Sequence, residues 1–145
     1  MKPGIDYTGI TTVFYCHDGE GNFVMGKRKN TCRDERNRWD IGGGKLETGN
    51  TLEKNLRDEI KQEYCTDVLD YEFLGIREMF RRDEKGRDTH WIGFDYKVLI
   101  DKNKVSNGEP HKFHSVEWFT LDNLPDPVHS QFPEFLRRYE DQLRK

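Results

Sequence analysis

Hydrophobic residues recur along this chain with two different periods, and the alternation between them outlines the elements. From Ile10 to Cys16 the run ITTVFYC is apolar and β-branched, HDGEGN supplies turn residues, and FVMGKR resumes an extended pattern, which predicts a strand pair. The stretch KNTCRDERNR is charged and aperiodic, a loop that leads through Trp39 and Ile41 to Gly42, Gly43 and Gly44. From Thr51 to Cys65 the period lengthens: Leu52, Leu56, Ile60 and Tyr64 recur every four residues and form one stripe of a helix capped by Asn50 or Thr51. YEFLGIREMF, Tyr71 to Phe80, returns to a strand, RRDEKGRD is a charged turn, and THWIGFDYKVLI completes a second hairpin. In that last strand Ile92, Phe94, Tyr96, Val98 and Ile100 alternate onto one face, the pattern of a long, half-buried strand. Asp101 to His114 is polar, with Gly108 and Pro110, and reads as a flexible connection in which a functional residue could sit; a short strand, Ser115 to Thr120, follows. Beyond LDNLPDPVH, the spacing of Phe132, Phe135, Leu136, Tyr139 and Leu143 predicts a closing helix packed on the sheet.

These elements predict an α/β fold. At 145 residues, without an internal repeat or a break in composition, the expected organisation is one domain over 1–145. The formal charge of -3, from 24 basic and 27 acidic residues, argues against a protein that coats long nucleic acid, but leaves room for a local phosphate site. No apolar run has the length of a bilayer span, so no membrane partner is expected. Cys16, Cys32 and Cys65 are odd in number and form no CxxC pair, which points away from a disulfide framework and towards a reducing, cytoplasmic setting.

The chemistry gathers in GGGKLETGNTLEKNLRDEIKQEY, Gly42 to Tyr64, where a glycine turn feeds an acid-bearing helix. Glu59 and Glu63, four residues apart, project from one side of that helix beside the apolar stripe, with Gln62 near them. Exposed helices carry such pairs too, and glycine clusters punctuate many loops; the combination is more specific than either part. Two like charges held together call for a cation or a basic side chain between them, and carboxylate oxygens suit Mg²⁺ or Mn²⁺ at a phosphate. The glycines permit a tight bend and close approach to backbone. Lys27, Arg28 and Lys45 are candidates to face phosphate. Neither GKS nor GKT follows the glycines, and GxGxxG is absent, so neither a P-loop nor a dinucleotide fold is indicated.

This run strongly resembles the box of the Nudix hydrolase (MutT-like) family, which has the order GGxxExGE followed by a helix with RE, an apolar residue, one variable residue and EE. Gly43, Gly44, Glu47, Gly49, Glu59, Ile60 and Glu63 fall in register. Asn50 stands in a glutamate place, Asp58 in the arginine place, Gln62 in that of the first glutamate of the EE pair, and Cys65 in a glycine place. The resemblance implies a Nudix-like α/β/α sandwich with a mixed central sheet. It further implies metal ligation by Glu59, Glu63 and the Gly43 carbonyl, with Gln62 as a weaker oxygen donor, and packing by Leu56 and Ile60. The implied activity is metal-dependent hydrolysis of a phosphoric anhydride in a nucleoside diphosphate linked to another moiety, a diphosphatase or pyrophosphohydrolase reaction using Mg²⁺ or Mn²⁺. The implied partner is a small nucleotide-like diphosphate. The opposing class is a catalytically weak or inactive nucleotide-binding, regulatory protein, because Asn50 and Gln62 lack carboxylates and Asp58 cannot supply an arginine's fork.

For the general base the sequence offers Glu47 as an auxiliary acid, and Glu109 and Glu117 outside the box. Tyr15, Phe23, Phe80, Trp91, Phe94 and Trp118 are base-stacking candidates that also fit core packing. His111 and His114 read as a solvated loop rather than a metal site. Arg77, Arg81, Arg82, Lys85 and Arg87, interrupted by acids, read as a charged surface turn.

Overall fold

A computed structural model describes residues 1–145. Its strands are β1 (Gly9–His17), β2 (Asn22–Arg28), β3 (Trp39–Asp40), β4 (Gly43–Lys45), β5 (Val68–Arg82), β6 (Asp88–Ile100) and β7 (Phe113–Thr120); its helices are α1 (Leu52–Tyr64) and α2 (Phe132–Leu143). The central order is β3-β2-β1-β6-β5, with β4 added to β1 and β7 to β2. β1 runs parallel to β6 and every other pairing is antiparallel, so the sheet is mixed.

The two periods resolve into two apolar layers. α1 lays Leu56, Ile60 and Tyr64 on Phe14, Cys16, Val24, Tyr96, Val98 and Ile100. On the opposite face α2 lays Phe132, Phe135, Tyr139 and Leu143 on Val13, Tyr15, Phe23, Met25, Met79 and Trp91. Thr51 caps α1, its hydroxyl accepting the Lys54 N–H at 3.1 Å. The other end closes at Cys65 with φ 60, a left-handed conformation that favours glycine.

Four sequence expectations change. The predicted β1–β2 pair survives only beside its turn, at His17 and Phe23. β2 instead pairs along its length with β7, and β1 pairs with β4, so the two strands splay and a cleft opens between them. β6 is buried on both faces over Asp95–Val98 rather than half-buried. The polar side is covered by α2: Asp95 takes Arg77 Nε at 2.8 Å and Tyr139 Oη at 2.8 Å, while Lys97 Nζ donates to the Gln142 and Lys145 carbonyls at the end of α2. Arg77 is therefore buried with its counter-ion and is no part of a surface turn, because the alternation of β5 turns Arg77, Met79 and Arg81 towards α2 and the cleft. Finally, Asp101 to His114 is not a free tether. Ser106 and Gly108 donate to the Tyr64 and Glu63 carbonyls and so cap the last turn of α1. Gly108 sits so close that a Cβ there would stand 2.0 Å from the Gln62 carbonyl oxygen.

Candidate active site

The splayed strands and the α2 face enclose a cleft of about 770 Å³, within the size of small-molecule sites. Its floor at one end is the glycine strip, and the reason for three successive glycines is steric. A Cβ on Gly44 would lie 2.1 Å from the Glu59 carboxyl carbon; one on Gly42 would lie 2.4 Å from the Phe14 ring and 2.9 Å from Glu63 Oε2. Gly42 also has φ +116, which a side chain disfavours. The strip is thus the bed on which the two carboxylates of α1 rest.

Hydrogen bonding fixes the bed. Phe14 N–H donates to the Gly42 carbonyl and Leu46 N–H to the Ile10 carbonyl. By the alternation of an antiparallel ladder, Gly43 between them turns its own N–H and carbonyl away from β1. The Gly44 carbonyl accepts from Thr11 Oγ1 at 2.9 Å and from buried Asn55 Nδ2 at 3.4 Å. Asn55 also donates to Thr12 Oγ1, and its side-chain Oδ1 accepts the Glu47 N–H and Asn50 Nδ2, tying α1, β1 and the loop before α1 together. At the far end of the helix, Tyr64 Oη donates to the Ile41 carbonyl at 2.6 Å.

The two carboxylates sit in different surroundings. Glu59 lines the cleft, and burial pushes its carboxyl above the ordinary glutamate range, Lys112 opposing and Glu109 adding to the shift. Glu63 is wholly buried. One oxygen accepts from Lys112 Nζ at 2.7 Å; the other, Oε2, has no partner. Burial pushes Glu63 up to about 7 despite Lys112. The charge between the helix carboxylates is therefore met, in this structure, by a lysine 49 residues away in sequence.

Among the other sequence candidates, Gly43, Gln62 and Glu109 line the cleft with Glu59. Glu47 does not; it is exposed at the rim with Lys45 at 3.8 Å. Glu117 lies on β7 outside the cleft, and exposed His111 approaches Glu109 at 3.7 Å. Lys27 is not part of the lining, whereas Lys45 and Arg28 are. Arg28 is held by Asp34 at 3.1 Å and Asp40 at 3.6 Å. Asp58, in the arginine place of the box, turns to Lys54 at 2.6 Å and takes no part in the cleft. Of the aromatic candidates Tyr15 and Phe23 are core, Trp91 is buried in the core and also lines the cleft, Phe94 and Trp118 are half-buried, and Phe80 is exposed.

Sequence reasoning missed Lys112, Asn55, Asp34, Asp40 and His129. Burial works against the charge of Asp40, yet His129, Arg28 and Lys112 around it bring its carboxyl down to about 2. His129 is buried beside Arg81 Nη1 at 2.9 Å, and burial lowers its affinity for a proton. No periodicity marks these residues: Asp34, Lys112 and His129 come from three separate loops, Asp40 from the short β3, and Asn55 sits on α1 off its apolar stripe.

The donor set suits a hard divalent cation: oxygen atoms only, an orphaned buried carboxylate oxygen, and a backbone carbonyl turned out of its ladder. No three His, Cys, Asp or Glu side chains stand together as a ready-made metal cluster.

A family model for the NUDIX domain matches residues 7–139, nearly the whole chain, and the chain belongs to that family. Solved structures share the fold at low identity. A MutT NUDIX hydrolase from Burkholderia pseudomallei is 21% identical with a TM-score of 0.77, covering 90% of this chain and 96% of its own. A MutT protein from Methanosarcina mazei Go1 is 16% identical, TM-score 0.76, covering 94% and 96%. The NUDIX domain of Shewanella oneidensis NrtR, solved with ADP ribose, is 14% identical, TM-score 0.71, covering 99% and 90%. The α/β/α sandwich with a mixed sheet is the fold these structures have in common. No helix is long and apolar enough to cross a membrane.

Proposed function

We propose that this chain hydrolyses a phosphoric anhydride in a small nucleotide-like diphosphate, a nucleoside diphosphate linked to another moiety, with Mg²⁺ or Mn²⁺, in the cytoplasm. The observation that carries the reading is the seating of Glu59 and Glu63 on the Gly42–Gly44 strip at one end of a basic cleft. Glu59, Glu63 and the Gly43 carbonyl would hold the cation, with Gln62 as a neutral oxygen donor beside them. When bound, the divalent ion supplies Lewis-acid polarisation of phosphorus and lowers the pKa of water. The protein's own groups do the rest. Arg28, Lys45 and Lys112 orient phosphate oxygens and offset their charge. Glu109, in the cleft wall and near enough to raise the proton affinity of Glu59, is the proposed base; Glu47 at the rim is the auxiliary acid.

A second reading, nucleotide binding with weak or absent turnover, is favoured by the neutral Asn50 and Gln62 and by Lys112 already seated on Glu63. One experiment separates the two: nucleoside triphosphates, nucleotide sugars, ADP-ribose and dinucleoside polyphosphates assayed in Mg²⁺ and in Mn²⁺ with products identified. Turnover that Glu59→Gln and Glu63→Gln both abolish is expected. Binding without products across the panel selects the second reading, and turnover indifferent to both substitutions removes the proposed site.

A further inference from the structure

α1 does not cover its whole side of the sheet. Its outer flank ends at Tyr71, whose hydroxyl donates to the Glu53 carboxylate and whose ring lies under the Arg57 guanidinium. Beyond that point the register places Ile10 beside Ile92 and Phe94 beside Ile76, with Phe73 beside Tyr96 and Phe80 stacked on His90 at 4.4 Å. Ile10, Phe73, Ile76 and Phe80 are 39%, 50%, 53% and 66% exposed, and half-buried Ile92 and Phe94 fill the space between them. β5 is moreover the last strand of the sheet, with no neighbour on its outer side. An apolar patch on a long edge strand is a feature that proteins acting as monomers usually blunt.

The structure assigns this face, we infer, to a second copy of the same chain, packed about a two-fold axis with the two β5 strands crossing antiparallel. The area fits. The exposed parts of the four side chains amount to about 400 Å² of apolar surface. A standard interface buries about 800 Å² per partner, somewhat over half of it apolar, or about 450 Å². The charges do not oppose the contact. Arg82 at its edge is paired with Asp88 at 3.2 Å, and Glu78, between Ile76 and Phe80 on the same side of β5, has His90 Nε2 at 3.3 Å, so each copy brings few unpaired charges to the contact. The cleft takes Arg77, Met79 and Arg81 of β5 and Trp91 of β6 from the opposite face of the sheet and stays open.

The test is sedimentation velocity of the full chain from low to several hundred micromolar, beside the Ile76→Glu/Phe80→Glu double variant and, as a control on α2, Arg137→Ala. The wild type and the control are expected at twice the 17.3 kDa of one chain at the upper concentrations, and the double variant as a monomer with an unchanged circular dichroism spectrum. A second measurement does not depend on the variant folding: in the wild type, amide exchange over residues 73–80 is expected to speed up on dilution. A wild-type monomer throughout the range, a dimer that survives the double substitution, or exchange over 73–80 independent of concentration would overturn the assignment.

Discussion

Alanine at Gly44 and alanine at Gly42 separate what the glycine strip does for the site from what it does for the fold. At Gly44 the new Cβ would stand 2.1 Å from the Glu59 carboxyl carbon, so the carboxyl must withdraw by about 1.4 Å to reach ordinary carbon contact. Glu59 is only partly buried and its carboxyl is the free end of a flexible side chain, so the fold yields cheaply. The backbone at Gly44 is not left-handed, and alanine narrows the unfolded ensemble, so stability should change by less than about 1 kcal/mol. Activity responds differently, since a misplacement of about 1 Å costs roughly 100-fold, or about 2.7 kcal/mol of transition-state stabilisation. At Gly42 the same methyl meets a Phe14 ring at 2.4 Å that is locked in the core, on a backbone at φ +116. Backbone strain and overpacking of about 1–3 kcal/mol each put that cost at roughly 2–6 kcal/mol. Urea unfolding in EDTA measures the stabilities, Mn²⁺ titration followed by electron paramagnetic resonance measures the metal site, and turnover of the best substrate in the panel measures activity. Gly44→Ala is expected to fold like the wild type, bind Mn²⁺ at least several-fold more weakly and lose about two orders of magnitude in kcat/KM. Equal destabilisation by the two substitutions, or a fully active Gly44→Ala protein, would refute the assignment of Gly44 as the seat of Glu59.

Three further outcomes are expected. Cys65→Gly should stabilise the protein by about 0.5–1 kcal/mol in urea unfolding, because it removes a β-carbon from a left-handed residue at the end of α1. Arg77→Met should cost about 3–5 kcal/mol by leaving buried Asp95 with only the Tyr139 hydroxyl as a side-chain partner, a loss that a double-mutant cycle with Asp95→Asn would show to be largely shared. His129 binds a proton less readily folded than unfolded, burial being the main cause; its contribution to stability is therefore complete above pH about 6.5 and falls away as the pH drops through the folded value. Stability measured from pH 7.5 down to 5 should decline more steeply in the wild type than in His129→Gln, and parallel curves would remove His129 as the source.

The fold was open to sequence reasoning where the physics is local. Periods of two and of four residues placed the second hairpin and both helices, since burying one face of an element imposes its period whatever lies opposite. The same reasoning failed at β1–β2 and at Asp95 and Lys97. Strand pairing there is decided by β4 and β7, which approach from elsewhere in the chain, and a polar residue is no sign of exposure once α2 brings a partner to it.

The site divides along the same line. Sequence alone determined that Glu59 and Glu63 share a helix side and follow a glycine run, because helix geometry and the register of the box are properties of neighbouring residues. Tertiary structure alone decided that the glycines are the bed for those carboxylates, that Glu63 is sealed from water with one oxygen unpaired, and that Lys112 reaches it from a loop pinned to the end of α1. Burial and long-range pairing have no period along the chain; they exist only once distant segments are packed, and they set the charge state of the same two glutamates that the pattern had located.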